Sequence, residues 1–490
     1  MHAIRLAFGV EVATDSTGPV ALGLEDGQRP QGDGNGRSAD AMTGHRREGS
    51  SRSGAVGLCT DLYELRMVES YLRRDLTAPA TFSLFVRPAA ERPWHVALGV
   101  HRVVQLLESF RYGPDELSYL RELNVAQQTL DWLEAFTPTG ELWAVPEGTV
   151  VLANEPIVEL TAPLPMAQLL ETAIMNLVHY PTLVATKAAR CALVAAGRQL
   201  ADFGFRRAHG LETGVEAALA AYLGGGFATS NVEAGRRWGL PVTGTMAHSY
   251  VQAFPDERQA FRAFAADHPE QAVLLVDTYD TIDGVRKAVE VADELAARGQ
   301  HLQGVRLDSG DLGELAKQAR TVLDDAGHHD VRIIASGSLD EYRIHHLVED
   351  GAPIDGFGVG TALTVSSDHP GLDIVYKLVG YDDRPVAKFS GAKSILPGPK
   401  QVYRRQDPAQ DLLSTRAADE PGQALLAPTW RDGQPLRGFD LAETRDRVTA
   451  QLDLLPEAWR LPPYPDEPPL PTVGDALEDL TAQVRQAAFA

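Results

Sequence analysis

The chain has 490 residues, 45 basic and 67 acidic side chains, a net charge of −22 and 44% apolar residues. That apolar share supports a sizeable core, and the length allows two or three domains, or one large barrel with a smaller partner. The acidic balance sets nucleic acid and anionic membranes aside as partners, and any anionic substrate must be met by basic groups gathered locally.

Residues 1–54 read as a disordered leader. The stretch from Asp26 to Gly54 is rich in Gly, Arg, Ser and Asp and has no apolar periodicity, so it cannot offset its ordering entropy. Ordered pattern starts at Gly57. Thr60 or Asp61 is placed to cap a helix running to Arg73, with Leu62, Leu65, Val68 and Leu72 on one face. Thr81–Val86 reads as a strand, Pro146–Leu160 as two short strands around Asn154-Glu155-Pro156, and Gln168–Val184 as a buried helix. Residues 55–185 are therefore assigned to an N-terminal α+β domain.

From about residue 198 short apolar strands alternate with helices. The strands are Gln199–Phe203, Gly226–Thr229, Val242–Met246, Ala272–Val276, Gly304–Leu307, Val331–Ala335 and Ile354–Val359. The helices include Glu212–Leu223, Ile282–Arg298, Leu312–Ala326 and Leu339–Glu349. Repeated strand–helix units imply parallel pairing with right-handed crossovers. The fold class expected is α/β: an irregular, TIM-like parallel barrel of about seven strands over 186–395. An open doubly wound sheet is the alternative. Cys59 and Cys191 have neither metal nor disulfide spacing, and no apolar run approaches the roughly 20 residues that span a bilayer, so a cytoplasmic location is expected.

In a parallel barrel the chemistry gathers at the carboxyl ends of the strands. Those ends carry Asp202, Ser230-Asn231, His248, Asp277 with Asp280, Arg306 with Asp308, and Ser336-Gly337. One carboxylate there only caps a helix; several with an Arg and a His call for another explanation. Two glycine turns, Ala335-Ser336-Gly337-Ser338 and Gly356-Phe357-Gly358-Val359-Gly360-Thr361, bring backbone N–H groups within reach of phosphate oxygens. Arg306 has the fork that grips phosphate, and Asp308 suits ribose hydroxyls or Mg²⁺. Lys388, Lys393, Lys400, Arg404 and Arg405 are either a solvated basic face or the positive field an anion needs. The histidine pairs at 328–329 and 345–346 lie away from the strand ends. No HExxH, GxSxG or GxxxxGK[ST] occurs, which argues against zincins, α/β-hydrolases and P-loop enzymes.

Several of these segments carry a resemblance. Thr60-Asp61-Leu62-Tyr63-Glu64-Leu65, Asp202-Phe203-Gly204-Phe205-Arg206-Arg207 and Gly244-Thr245-Met246-Ala247-His248-Ser249 resemble motifs of nicotinate phosphoribosyltransferases. So do Leu275–Asp280, Val305–Asp311, Gly356–Thr361 and the run from Lys388 to Arg404, in the same order over residues 57–405. The resemblance implies a second α+β domain built from the N- and C-terminal segments, with 396–490 packing on the N-terminal part, and a homodimer with shared active sites. It also implies transfer of phosphoribose to nicotinate from phosphoribosyl pyrophosphate, coupled to ATP as co-substrate, with Mg²⁺. His248 matches the transiently phosphorylated histidine. Phe203 and Tyr63 of the partner subunit would sandwich the pyridine, with Arg206 nearby. Arg306, Gly337, Gly358, Gly360, Thr361, Lys393 and Lys400 would hold phosphate. Asp277 and Asp308 would serve catalysis, ribose or Mg²⁺. Related nicotinamide-using enzymes carry an aspartate where Ser230 stands in Ala228-Thr229-Ser230-Asn231 here. A neutral hydroxyl favours the carboxylate substrate, and nicotinamide is the alternative.

Overall fold

The computed structural model describes residues 56–389 and 395–490. The predicted leader and Lys393 lie outside the described residues.

Six parallel strands form one curled sheet: Gln199–Asp202, Ala228–Thr229, Val273–Leu275, Gly304–Leu307, Arg332–Ser336 and Gly356–Val359. The sheet order begins at Ala228–Thr229, passes through the first strand, Gly356–Val359 and Arg332–Ser336, and ends at Gly304–Leu307 and Val273–Leu275. The expected strand Val242–Met246 shrinks to one parallel bridge, Thr229 to Val242. Thr229 donates its N–H to Pro241 and accepts one from Thr243, after which Gly244–Met246 turns away and lines the cleft described below. Among the described residues, then, the sheet curls through seven positions but the seam between residue 242 and Val273–Leu275 carries no ladder.

The connecting helices follow the predicted periodicity, with better-defined starts. Asp280, Asp311 and Asp340 cap Thr281–Ala296, Leu312–Asp325 and Glu341–Glu349, each side chain accepting the N–H three residues on. The last helix begins two residues later than expected, so the turn at Gly337 is separate from it. Asp61 holds the N-cap position of Leu62–Arg73 without a capping bond; it accepts instead from the Thr172 hydroxyl at 2.7 Å. Leu65 and Val68 of that helix are buried, while Leu62 is exposed.

The other large sheet is antiparallel, and its core strands are Pro79–Val86, Val158–Pro163 and Glu141–Ala144. Ile374–Tyr381 extends it on one side, and Ala427–Arg431 pairs with Glu141–Ala144 on the other. The C-terminal segment is thus hydrogen-bonded to N-terminal strands. A second set, Lys400–Arg404 with Leu412–Thr415, packs nearby. The helix Glu171–Val194 runs ten residues past its predicted end and carries residues of both hydrophobic clusters, Ile174 and Val178 in one, Val184 and Ala188 in the other. No described helix is long and apolar enough to cross a membrane.

Candidate active site

A cleft of about 640 Å³ opens at the carboxyl ends of the parallel strands, lined among others by Phe203, Arg206, Ser230, Thr245, Arg306 and Asp308. Gly337, Gly358, Gly360 and Thr361 line it too. Parallel pairing forces this convergence, because each strand delivers its last residue to the same end. Asp202 fastens the mouth. Its buried carboxylate accepts from Gly204 N–H and the Thr229 hydroxyl, both at 2.8 Å. Burial pushes its pKa up against those hydrogen bonds.

The glycines have separate reasons. A Cβ on Gly358 would come within 2.4 Å of the Phe203 ring, so the bare backbone is what lets the ring lie against the strand. Gly337 has φ +90°, and a Cβ there would meet the Asp308 carbonyl oxygen at 1.8 Å. Gly360 has a negative φ, and a Cβ there would only touch the Phe203 carbonyl oxygen at 3.4 Å, so no clash explains it.

The charged groups interlock. Arg306 donates from Nη1 to the Thr245 hydroxyl at 2.6 Å, while its Nε is buried with no partner. Burial lowers its pKa, and Asp308 and Asp277 oppose that. Asp277 accepts from Asp308 N–H at 3.1 Å and the Ser309 hydroxyl at 2.6 Å through one oxygen; the other is buried and unpartnered. Asp308 accepts from the Ser336 hydroxyl. His248 begins the helix His248–Gln252, with Nδ1 3.2 Å from the Thr278 hydroxyl and Nε2 4.0 Å from Asp308. Its side chain is partly open to solvent, 42% exposed.

Five expected residues stand elsewhere. Asn231 is fully buried and spent: its side chain caps Val232–Trp238 by accepting from Ala234 N–H and donates to the Gly214 carbonyl. Lys400 is buried in a strand, 3.3 Å from Glu159, with Nζ also donating to the Gly398 carbonyl at 2.9 Å. A phosphate cannot reach it, because the antiparallel sheet has already paired it. Arg404 of the same basic run is likewise buried against Asp411. Tyr63 is 48% exposed on the first helix, beside Glu171, and lines no part of its own chain's cleft. Asp280 is a helix cap.

The described residues contain no cluster of three or more His, Cys, Asp or Glu side chains able to hold a metal. A magnesium ion needs fewer, since it is commonly held by one or two carboxylates plus substrate phosphates and water. Asp277, with its orphaned oxygen, and the adjacent Asp308 fit that mode.

Residues 58–179 match the nicotinate phosphoribosyltransferase N-terminal domain, and residues 198–406 match the nicotinate phosphoribosyltransferase family. The chain belongs to the nicotinate phosphoribosyltransferase family. Relatives within the family include nicotinate phosphoribosyltransferase pncB2 of Mycobacterium tuberculosis, 45% identical over 82% of this chain and 88% of that protein. The Bacillus subtilis nicotinate phosphoribosyltransferase is 43% identical over 71% and 73%. The crystal structure of human nicotinic acid phosphoribosyltransferase superposes with a TM-score of 0.75 at 28% identity, covering 87% of this chain and 99% of that one.

Thr245 and Thr278 escape sequence reading in this family member. Each touches a functional group through a hydroxyl across a gap of 30 residues or more. A threonine beside a glycine or an aspartate carries no signal of such a partner.

Proposed function

We propose that the chain transfers phosphoribose to nicotinate. The pyridine nitrogen attacks C1 of phosphoribosyl pyrophosphate, the C1–O bond to pyrophosphate breaks, and pyrophosphate leaves with the electron pair. The observation that carries this reading is the convergence of the Phe203 ring, Ser230, the Arg306 guanidinium and the Asp308 carboxylate on one cleft, with Asp277 accepting from Asp308 N–H and His248 Nε2 4.0 Å from Asp308. Phe203 stacks on the pyridine, a contact worth about 0.5–1.5 kcal/mol beyond burial. Ser230 donates to the nicotinate carboxylate, and Arg206 lies close enough to add charge. Arg306 and the backbone at Gly337, Gly358 and Gly360, with Thr361, hold phosphate and stabilise the departing pyrophosphate. Asp277 and Asp308 orient the ribose. Magnesium on these two carboxylates would neutralise charge developing on the pyrophosphate.

ATP enters through His248. An imidazole nitrogen attacks the γ-phosphoryl group, the bond to ADP breaks, and the labile phosphoramidate is later cleaved by water. Thr278 and Asp308 hold the ring for this step.

The curled sheet is read as an irregular barrel over 186–395, closed by its flanking segments. Residues 55–185 and 396–490 are read together as the second domain. The exposed Tyr63 supports a homodimer in which each subunit completes its partner's cleft, in the cytoplasm.

Two measurements test the proposal. Incubation with labelled ATP, followed by mass spectrometry, is expected to find acid-labile phosphate on His248. Label elsewhere, or full activity without label, overturns the phosphohistidine. Turnover of nicotinate and nicotinamide is then compared; activity on nicotinamide alone overturns the role given to Ser230.

A further inference from the structure

A buried ionic network lies outside the cleft and is used by none of the steps above. Lys187 and Arg190, on the helix Glu171–Val194, are 0% and 1% exposed. Lys187 Nζ is 2.5 Å from both Glu341 and Asp368, and Arg190 Nε is 3.1 Å from Glu341. Arg92, 3% exposed, reaches Asp368 at 2.6 Å and the Ser366 hydroxyl at 3.5 Å. Burying three cations with two carboxylates is costly, and hydrophobic residues of similar volume would often serve stability as well. Something other than stability must favour it.

The acids are placed where both glycine turns end. Glu341 opens the helix that follows Ser336-Gly337-Ser338, and Arg343 of that helix donates to the Ser338 carbonyl at 3.1 Å. Asp368 and Ser366 follow the short helix Thr361–Thr364, which follows Gly358 and Gly360. The long helix also reaches this second segment through Tyr180, whose hydroxyl donates to the Thr364 carbonyl at 2.8 Å. One helix thus meets the base of both turns, by ion pairs to Glu341 and by hydrogen bonds to Asp368 and the Thr364 carbonyl.

We propose that the helix Glu171–Val194 acts as a positioning frame for the two phosphate turns, with Lys187, Arg190 and Arg92 fixing them through Glu341 and Asp368. The inference rests on the phosphate role given above to those turns. Small misplacements of binding groups are expensive for transfer chemistry, and since the turns are given the phosphate, the network acts first on the phosphoribosyl donor.

The test uses the full chain. Arg92→Gln is expected to raise the KM for phosphoribosyl pyrophosphate about tenfold, with the KM for nicotinate within about twofold. Arg92→Lys, which keeps a cation beside Asp368, is expected to restore most of the loss. Tyr180→Phe removes one hydroxyl, is the milder cut, and decides the matter if Arg92→Gln does not fold; a rise of about threefold is expected for the same substrate. Equal changes in both KM values, or a lowered melting temperature with both KM values intact, overturn the frame. Gly337→Ala separates the two readings. If it leaves the donor's KM unchanged, the phosphate role of the turns fails; if it raises that KM while Arg92→Gln and Tyr180→Phe do not, only the frame fails.

Discussion

Ser230 shows how much can depend on one side chain. Its hydroxyl lines the cleft, and its backbone N–H is held by the Asp202 carbonyl at 2.8 Å, so the side chain cannot drift from the pocket. Ser230→Asp would set a carboxylate against the carboxylate of nicotinate. Like charges in a partly desolvated site cost several kcal/mol, so kcat/KM for nicotinate is expected to fall by about 100-fold or more, with nicotinamide turnover far less affected. Equal losses for both substrates in steady-state kinetics would remove Ser230 from recognition. Asn231, its neighbour, makes the opposite point: the same polar character is consumed by a helix cap and by Gly214. Residue type alone does not separate the two, because both can donate and accept.

At the scale of elements, the strand–helix alternation was legible because buried parallel strands read as short apolar runs and their helices as amphipathic ones. Six of the seven expected strands formed. Val242–Met246 did not, since Pro241 and Gly244 flank a segment whose bonds go to one residue of the neighbouring strand and then to the cleft. Lys400 and Arg404 of the basic run stand away from the cleft for a different reason. Lys400 looks like a free cation until the antiparallel strand carrying it is placed beside Glu159. Lys400→Met should therefore leave the KM for phosphoribosyl pyrophosphate unchanged and cost about 3 kcal/mol in denaturant unfolding, at the low end for a broken buried pair because Arg416 still meets Glu159. A large KM rise with normal stability would restore Lys400 to phosphate binding.

At the scale of the whole molecule, His95 couples pH to folding. It lies fully buried on the strand His95–Ala97 with neither ring nitrogen hydrogen-bonded. Burial first, then the Arg92 cation, hold its pKa down at about 3. The folded state therefore keeps it neutral while the unfolded chain protonates below about 6.5. Unfolded protein binds more protons between those values, so stability is lost as pH falls from about 6.5 towards 3. Between pH 7.5 and 5 this residue should account for about 2 kcal/mol. His95→Gln is expected to show a correspondingly flatter loss by thermal or denaturant unfolding; parallel curves for the two proteins would refute the assignment. Assembly can be read by mixing. Tyr63→Ala and His248→Ala are each expected to be inactive, whereas refolding the two together should restore activity, because one site of a mixed dimer receives both intact residues. No recovery after subunit exchange would mean that Tyr63 does not serve a partner's cleft.

Periodicity, the glycine turns and the ordered motifs were sufficient for the α/β class and the family, and they placed Asp277, Arg306 and Asp308 at or just past strand ends, whereas His248 follows a segment that forms no strand. Such information is local, and the chain carries it within a few residues. Long-range pairing is not local. Whether Asn231 faces a ligand or Gly214, whether Lys400 meets phosphate or Glu159, and that Lys187 and Arg190 grip Glu341 across about 150 residues were decided only when the sheets closed around them. A polar side chain's partner is chosen by whatever folding brings within hydrogen-bond reach, and that distance is a property of the packed chain.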